Sequence, residues 1–145
     1  MRAFVIAAAM VLVVATLLFL LVLSWNPDSG DRGQGVLLKL DKTELRGERT
    51  LTYTLVNGAG SEGDVCFGEP YDVQILKDDS WATAEWMRDR VWIAILWRLK
   101  PNESFSRQVQ LPDDVKPGTY RLVKEVQFCD SGQRLTLTAE FVVLE

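Results

Sequence analysis

An antiparallel β-sandwich of about seven to nine strands behind one N-terminal apolar helix is the architecture the sequence predicts. Three observations lead there. The chain after residue 35 is a series of short segments in which apolar and polar residues alternate, separated by turn residues. The stretch Pro117 to Cys129 opens with a Pro-Gly turn and continues with Tyr120, Leu122, Val126 and Phe128 on one face, interrupted only by Lys124. A tyrosine directly after such a turn is the arrangement of a tyrosine corner, so Pro117, Gly118 and Tyr120 are expected to begin the central strand of an immunoglobulin-like sandwich. Third, Ala3 to Leu23 is a run of 21 residues without a charge.

That run would be about 32 Å long as a helix, enough to cross a hydrocarbon core of about 30 Å. Its length exceeds the usual apolar core of a secretory signal, which favours a retained anchor over residues 1–24, and removal before Trp25 is the alternative. Arg2 points to an inside N-terminus and Trp25 suits the far interface, placing the C-terminal domain outside the cytoplasm, or secreted if the segment is cleaved. Residues 25–35, rich in Gly, Asp and Ser, read as a flexible linker, and 36–145 as the domain.

Within the domain, Val36 to Leu40 and Thr50 to Leu55 alternate as half-buried strands. Asn57 to Asp64 holds three glycines and reads as a loop before the short segment Val65 to Phe67. Tyr71, Val73 and Ile75 continue the alternation until Lys77, Asp78, Asp79 and Ser80 turn the chain back. Trp81 to Leu99 contains four of the five tryptophans. Trp86, Arg90, Ile93 and Trp97 would share a helical face, whereas Val91, Ile93, Ile95 and Trp97 alternate as a strand. Strand is the reading adopted for Val91 to Trp97, with both faces buried. Phe105, Val109 and Leu111 form the next inward row, and Asp130, Ser131 and Gly132 link the central strand to a last one ending near Val143.

Composition excludes several functions. Without Arg2, the 16 basic residues become 15 against 20 acidic ones, a net −5 that disfavours nucleic acid. The chain has no histidine, so neither a Ser-His-Asp nor a Cys-His centre can be built, and two cysteines alone do not make a structural zinc site. The pairs Asp78–Asp79 and Asp113–Asp114 lie beside turn residues, where aspartate bonds its own backbone. No catalytic, metal or cofactor site is expected, and the chain is not read as an enzyme. The tryptophans are expected in the core, with Trp86 the exception: its polar neighbours Glu85, Arg88, Asp89 and Arg90 suggest an exposed loop and a candidate contact for a partner. Cys66 and Cys129, an even pair outside the cell, are expected to form a disulfide. Both fall out of phase with their apolar neighbours, so the bond should lie on outward faces or strand ends and not pin the two sheets together. Asn102, Glu103 and Ser104 spell a glycosylation sequon.

Several of these residues in order resemble a family. Asn57, Phe67-Gly68 with Pro70-Tyr71, Trp81, Leu99 with Pro101, Glu103 and Ser104, then Gly118-Thr119-Tyr120-Arg121 with Lys124, and Ala139-Glu140-Phe141 are similar to the bacterial immunoglobulin-like domain of small anchored envelope proteins. The resemblance covers about residues 36–145, and the Gly-x-Tyr-Arg-x-x-Lys segment is its most specific part. It implies an all-β envelope domain. A weaker similarity, to the BsuPI-type intracellular proteinase inhibitor domain, implies an exposed loop able to block a protease. The chain departs from the envelope pattern by having an apolar helix in place of a lipidated cysteine, by its cysteine pair and by its many tryptophans. The expected function is therefore a membrane-held, non-catalytic binding or scaffolding domain. Its partners would be the membrane, through residues 3–23, and a protein or cell-envelope component. The alternative is a proteinase inhibitor acting through Asn57 to Asp64.

Overall fold

Alternating side chains need two apolar faces to meet, and ten strands in two packed sheets accomplish this in the computed structural model, which describes residues 35–145. The expected anchor and most of the linker lie outside the described residues. In chain order the strands are β1 (Val36–Leu40), β2 (Glu44–Arg46), β3 (Thr50–Asn57), β4 (Val65–Gly68), β5 (Asp72–Lys77) and β6 (Ser80–Thr83). After a 3-10 turn at Glu85–Met87 come β7 (Leu96–Leu99), β8 (Ser104–Gln110), β9 (Gly118–Phe128) and β10 (Arg134–Leu144). One sheet is β1-β3-β8, antiparallel throughout. The other runs β2-β10-β9-β4-β7, with β5 and β6 added beside the first half of β9.

The eleven-residue strand β9 organises the second sheet. Along one edge it pairs with β10 from Gly118 to Gln127. Its other edge is shared, with Tyr120 to Val123 facing β5 and Gln127 and Phe128 facing β4. Tyr120, Leu122, Lys124, Val126 and Phe128 are all buried, as are Leu137, Ala139, Phe141 and Val143 on β10. They meet Val36, Leu38, Leu51, Tyr53 and Leu55 of the first sheet. Ordering such a core costs about 1–2 kcal/mol of backbone entropy per residue, and apolar burial of this extent is what offsets it.

The described residues form ten strands where about seven to nine were expected. The short strands account for the difference. Glu44–Arg46 joins β10 in parallel over three residues, too few to show a period of two in the sequence. Between β5 and β6, Asp78 and Asp79 take φ of 47° and 60°, the left-handed pair of a two-residue hairpin, which is turn chemistry.

The larger correction is at Val91 to Trp97. Only Leu96–Leu99 is strand, and the residues before it are irregular. The Ile93 N–H donates to a carboxylate oxygen of Glu69 at 2.9 Å and the Ile95 N–H to the Ile93 carbonyl at 3.1 Å, so neither donor is left for a ladder. Nor are both faces buried, since Val91 is 93% exposed and Ile93 63%.

Candidate binding site

The single interruption in the apolar face of β9 becomes the centre of a polar cluster. Lys124 is 0% exposed. Its Nζ donates to the carbonyls of Gly68 at 2.6 Å and Pro70 at 2.7 Å, with a longer contact to Glu69 O at 3.3 Å, and lies 5.3 Å from the Phe67 ring centroid. Burial pushes its pKa down to about 8, with Arg107 pressing the same way and Glu69 opposing. Glu69, itself buried, pairs with Arg107 on β8. The lysine thus staples the β4–β5 connection to β9, and Glu69 links that connection to the other sheet. Above them Tyr53, buried on β3, has its pKa raised to about 12 by burial. The Lys124 ammonium and the Glu69–Arg107 pair are engaged by other groups of the core, and the cluster is a structural brace.

At the start of β9, Tyr120 is buried and its hydroxyl donates to the Lys116 carbonyl at 2.7 Å. Its ring stacks on Phe141 at 5.6 Å. Burial raises the Tyr120 pKa. Around this corner opens a groove of about 620 Å³, mostly apolar, lined by Ile75, Leu76, Trp86, Pro112, Val115 and Tyr120. Trp86 sits on the 3-10 turn and packs against the core, half-buried where an exposed loop was expected. Lys77 and Lys116 and the acidic Glu85 and Asp114 also line the groove, two of each sign. Its size falls in the usual range for binding clefts.

The other tryptophans among the described residues, Trp81, Trp92 and Trp97, are half-buried. Trp92 packs edge-on against Tyr71 at 4.8 Å and Trp97 tilts against Phe105 at 5.0 Å. Arg90 donates to the Tyr71 hydroxyl at 2.7 Å and lies 5.2 Å from the Tyr71 and Trp92 ring centroids. On the outer face, Arg121 covers Trp81 at 4.5 Å and donates to Gln74 at 2.8 Å. The exposed apolar residues that sequence reasoning sought at Trp86 lie a few positions later, at Val91 to Leu96, where the strand reading had placed them inside.

Cys66 and Cys129 are joined in a disulfide with Cα atoms 5.1 Å apart. Cys66 is on β4 opposite Gln127 of β9, and Cys129 lies just past the end of β9, so the bond ties neighbours within one sheet. Its exposure differs from the expectation, because Cys66, though out of phase with Val65 and Phe67, is only 8% exposed.

The loop after β3 is tied back on itself. The Asn57 Nδ2 donates to the carbonyls of Gly63 at 2.9 Å and Leu99 at 3.0 Å, the Ser61 N–H to Gly58 O at 3.1 Å, and Gly58 N–H to Gly35 O at 2.8 Å. Gly35 has φ of 82° and a Cβ there would lie 2.8 Å from Ser61 N, so only glycine fits where the chain enters the domain. A chain of turns does not offer the extended backbone that a protease would grip.

With two sheets, a corner tyrosine and an intrasheet disulfide in place, comparison with known families is decisive. The bacterial Ig-like domain family matches residues 32–142. The chain belongs to this family. The bacterial Ig-like domain therefore occupies nearly all of the described residues, and Lys124, the tyrosine corner and both cysteines lie within it. No curated protein matches the sequence. Among solved structures, the chain is similar to the soluble domain of PmoD from Methylocystis sp. at 15% identity, over 75% of this chain and 90% of that one, with a TM-score of 0.38.

Proposed function

We propose that this bacterial Ig-like domain is a non-catalytic binding module, held at a membrane by residues 3–23 and displayed outside the cytoplasm, with a protein or cell-envelope component as its partner. The observation that carries the binding role is the groove at Trp86. It lies at the Gly118 end of β9, whereas the Cys129 end lies beside Asp64 and the loop where the chain enters at Gly35. Eleven strand residues at about 3.3 Å each separate the two ends by roughly 36 Å. A tether at one end leaves the groove at the other free for a partner. Its apolar walls and balanced rim charges suit an amphipathic, uncharged segment better than a strongly charged one. The disulfide supports an oxidising compartment.

The proteinase-inhibitor reading is disfavoured by the turns of residues 57–64. A photo-crosslinking residue placed at Leu76, on the groove, and separately at Glu44, on β2, tests the binding role in living cells. Adducts of one defined size at position 76 only, lost on Trp86→Ala, are expected. No adduct at 76, or the same adducts at both positions, would reject the groove as the contact. Near-stoichiometric inhibition in a panel of purified proteases would instead establish the inhibitor.

A further inference from the structure

Six consecutive apolar residues, Val91 to Leu96, run along one flank of the domain, and five of them are exposed. Val91 is 93%, Ile93 63% and Leu96 70% exposed. A run of this kind on a folded surface is unusual unless something covers it. Nor is it a loose loop. Glu69 holds the Ile93 N–H from beneath, and Trp92 turns inward onto Tyr71, so the backbone is fixed while Val91, Ile93 and Leu96 face outward.

We propose that Val91 to Leu96 is a membrane-docking strip, which lays the β7 flank of the domain on the surface of an anionic bilayer. The inference rests on the reading of residues 3–23 as a membrane anchor. Charge is the first reason. From Arg88 to Lys100 the chain carries Arg88, Arg90, Arg98 and Lys100 against Asp89 alone, although the sequence as a whole is acidic. Arg98 is paired with Asp64 at 2.8 Å and lies 3.8 Å from Asp130, so the cations offered to lipid are Arg88, Arg90 and Lys100. An apolar strip flanked by arginine and lysine, with amphipathic tryptophans beside it, is the pattern of a segment lying in the interface of anionic lipids.

Reach is the second reason. The chain enters at Gly35, next to Asn57, whose amide donates to the carbonyl of Leu99 at the end of β7. The strip therefore begins one short strand, roughly 10 Å, from Leu99, and Asn57 joins Leu99 to the point of entry. Residues 24–34 extend to at most about 36–40 Å, which lets this flank lie on the membrane without strain. Holding the strip so near the surface raises its effective concentration there, so weak docking suffices.

Backbone chemistry is the third reason. The N–H groups of Ile93 and Ile95 are already bonded within the domain, so an added β-strand from a second copy or a peptide has no ladder to join along the irregular part of the strip. A fluid apolar phase needs none.

The test uses the full chain in phosphatidylcholine vesicles with and without phosphatidylglycerol. A single added cysteine, from Ile93→Cys or from Glu44→Cys on β2 at the opposite edge of the sheet, carries a polarity-sensitive dye, attached without reducing Cys66–Cys129. The expected result is blue-shifted emission at position 93, quenched several-fold more by nitroxide lipids than at position 44. The difference should shrink without phosphatidylglycerol and with Val91→Ser and Leu96→Ser together. Equal quenching at both positions, in protein that alkaline carbonate does not extract, overturns the docking and leaves the anchor standing. A chain that carbonate washes off overturns the anchor and the docking with it. Shielding of position 93 that persists in detergent and grows with protein concentration identifies a second copy as the occupant and overturns the proposal.

Discussion

Replacing Lys124 with methionine keeps an unbranched stem of the same length up to Cε and removes the ammonium with its charge and donors. Two effects oppose each other. The short bonds to Gly68 O and Pro70 O come from a charged donor, each contributing about 1.5–3 kcal/mol, so their loss costs roughly 3–6 kcal/mol. Against this, the buried ammonium is itself penalised. Its pKa falls from 10.5 to about 8, and at about 1.36 kcal/mol per unit the variant recovers roughly 3 kcal/mol. Lys124→Met is therefore expected to destabilise the domain by about 1–2 kcal/mol at pH 7, a fall of roughly 5–10 °C in melting temperature.

The pH dependence is the more specific signature. Between about pH 8 and 10.5 the native lysine has lost its proton while the unfolded one keeps it, so the unfolded state binds more protons and stability rises with pH. The rise should amount to about 2 kcal/mol between pH 8 and 10. Above pH 10 the sign reverses. Tyr53 keeps its proton to about 12 in the fold and loses it near 10.0 when unfolded, so stability then falls. Tyr71 and Tyr120, also raised by burial, act in the same direction. Urea titrations followed by near-ultraviolet circular dichroism from pH 7 to 11 should show a maximum near pH 10 in the native sequence. In Lys124→Met only the alkaline fall should remain. A variant that keeps the rise, or a native protein without one, would refute Lys124 as the titrating group.

Two further substitutions test the frame. Cys66→Ala with Cys129→Ala opens a loop with a sequence separation of 63 and should lower the unfolding free energy by about 4 kcal/mol on the chain-entropy model, read from the urea midpoint. An unchanged midpoint would mean that the unfolded chain is not constrained by the bond. Tyr120→Phe removes only the bond to Lys116 O, for an expected loss of about 1 kcal/mol with the groove intact, checked by thermal melts of native and variant protein.

How much of this was legible in the sequence depended on whether the signal was local. Period-two alternation in β1, β3, β9 and β10 reads directly, because successive side chains on a strand point to opposite faces and one face must leave water. The phase of Cys66 and Cys129 also follows from parity, which is why a bond that does not pin the two sheets together could be anticipated. Parity says nothing about depth, however, and the burial of Cys66 is decided by neighbours distant in sequence. Val91 to Trp97 misled for the same reason. Its alternation suits a strand, but a strand exists only if a partner takes its N–H groups, and here Glu69 takes that of Ile93. That carboxylate is 24 residues away, and no pattern in the segment signals it.

By itself, the sequence determined an all-β domain, its principal strands, its central strand and the absence of histidine chemistry. These follow from residue types and from a period of two, which are properties of neighbours along the chain. Only the tertiary structure decided what Lys124 is for. On the sequence it is a flaw in an apolar face; in the fold, three carbonyls from the β4–β5 connection converge on it and make the buried charge tolerable. The tertiary structure also decided which apolar residues remain outside. Trp86, expected outside, packs half-buried against the core, while Val91, Ile93 and Leu96, expected inside, stay exposed. Burial is a contest for space among residues far apart in the chain, and closing the two sheets settles it.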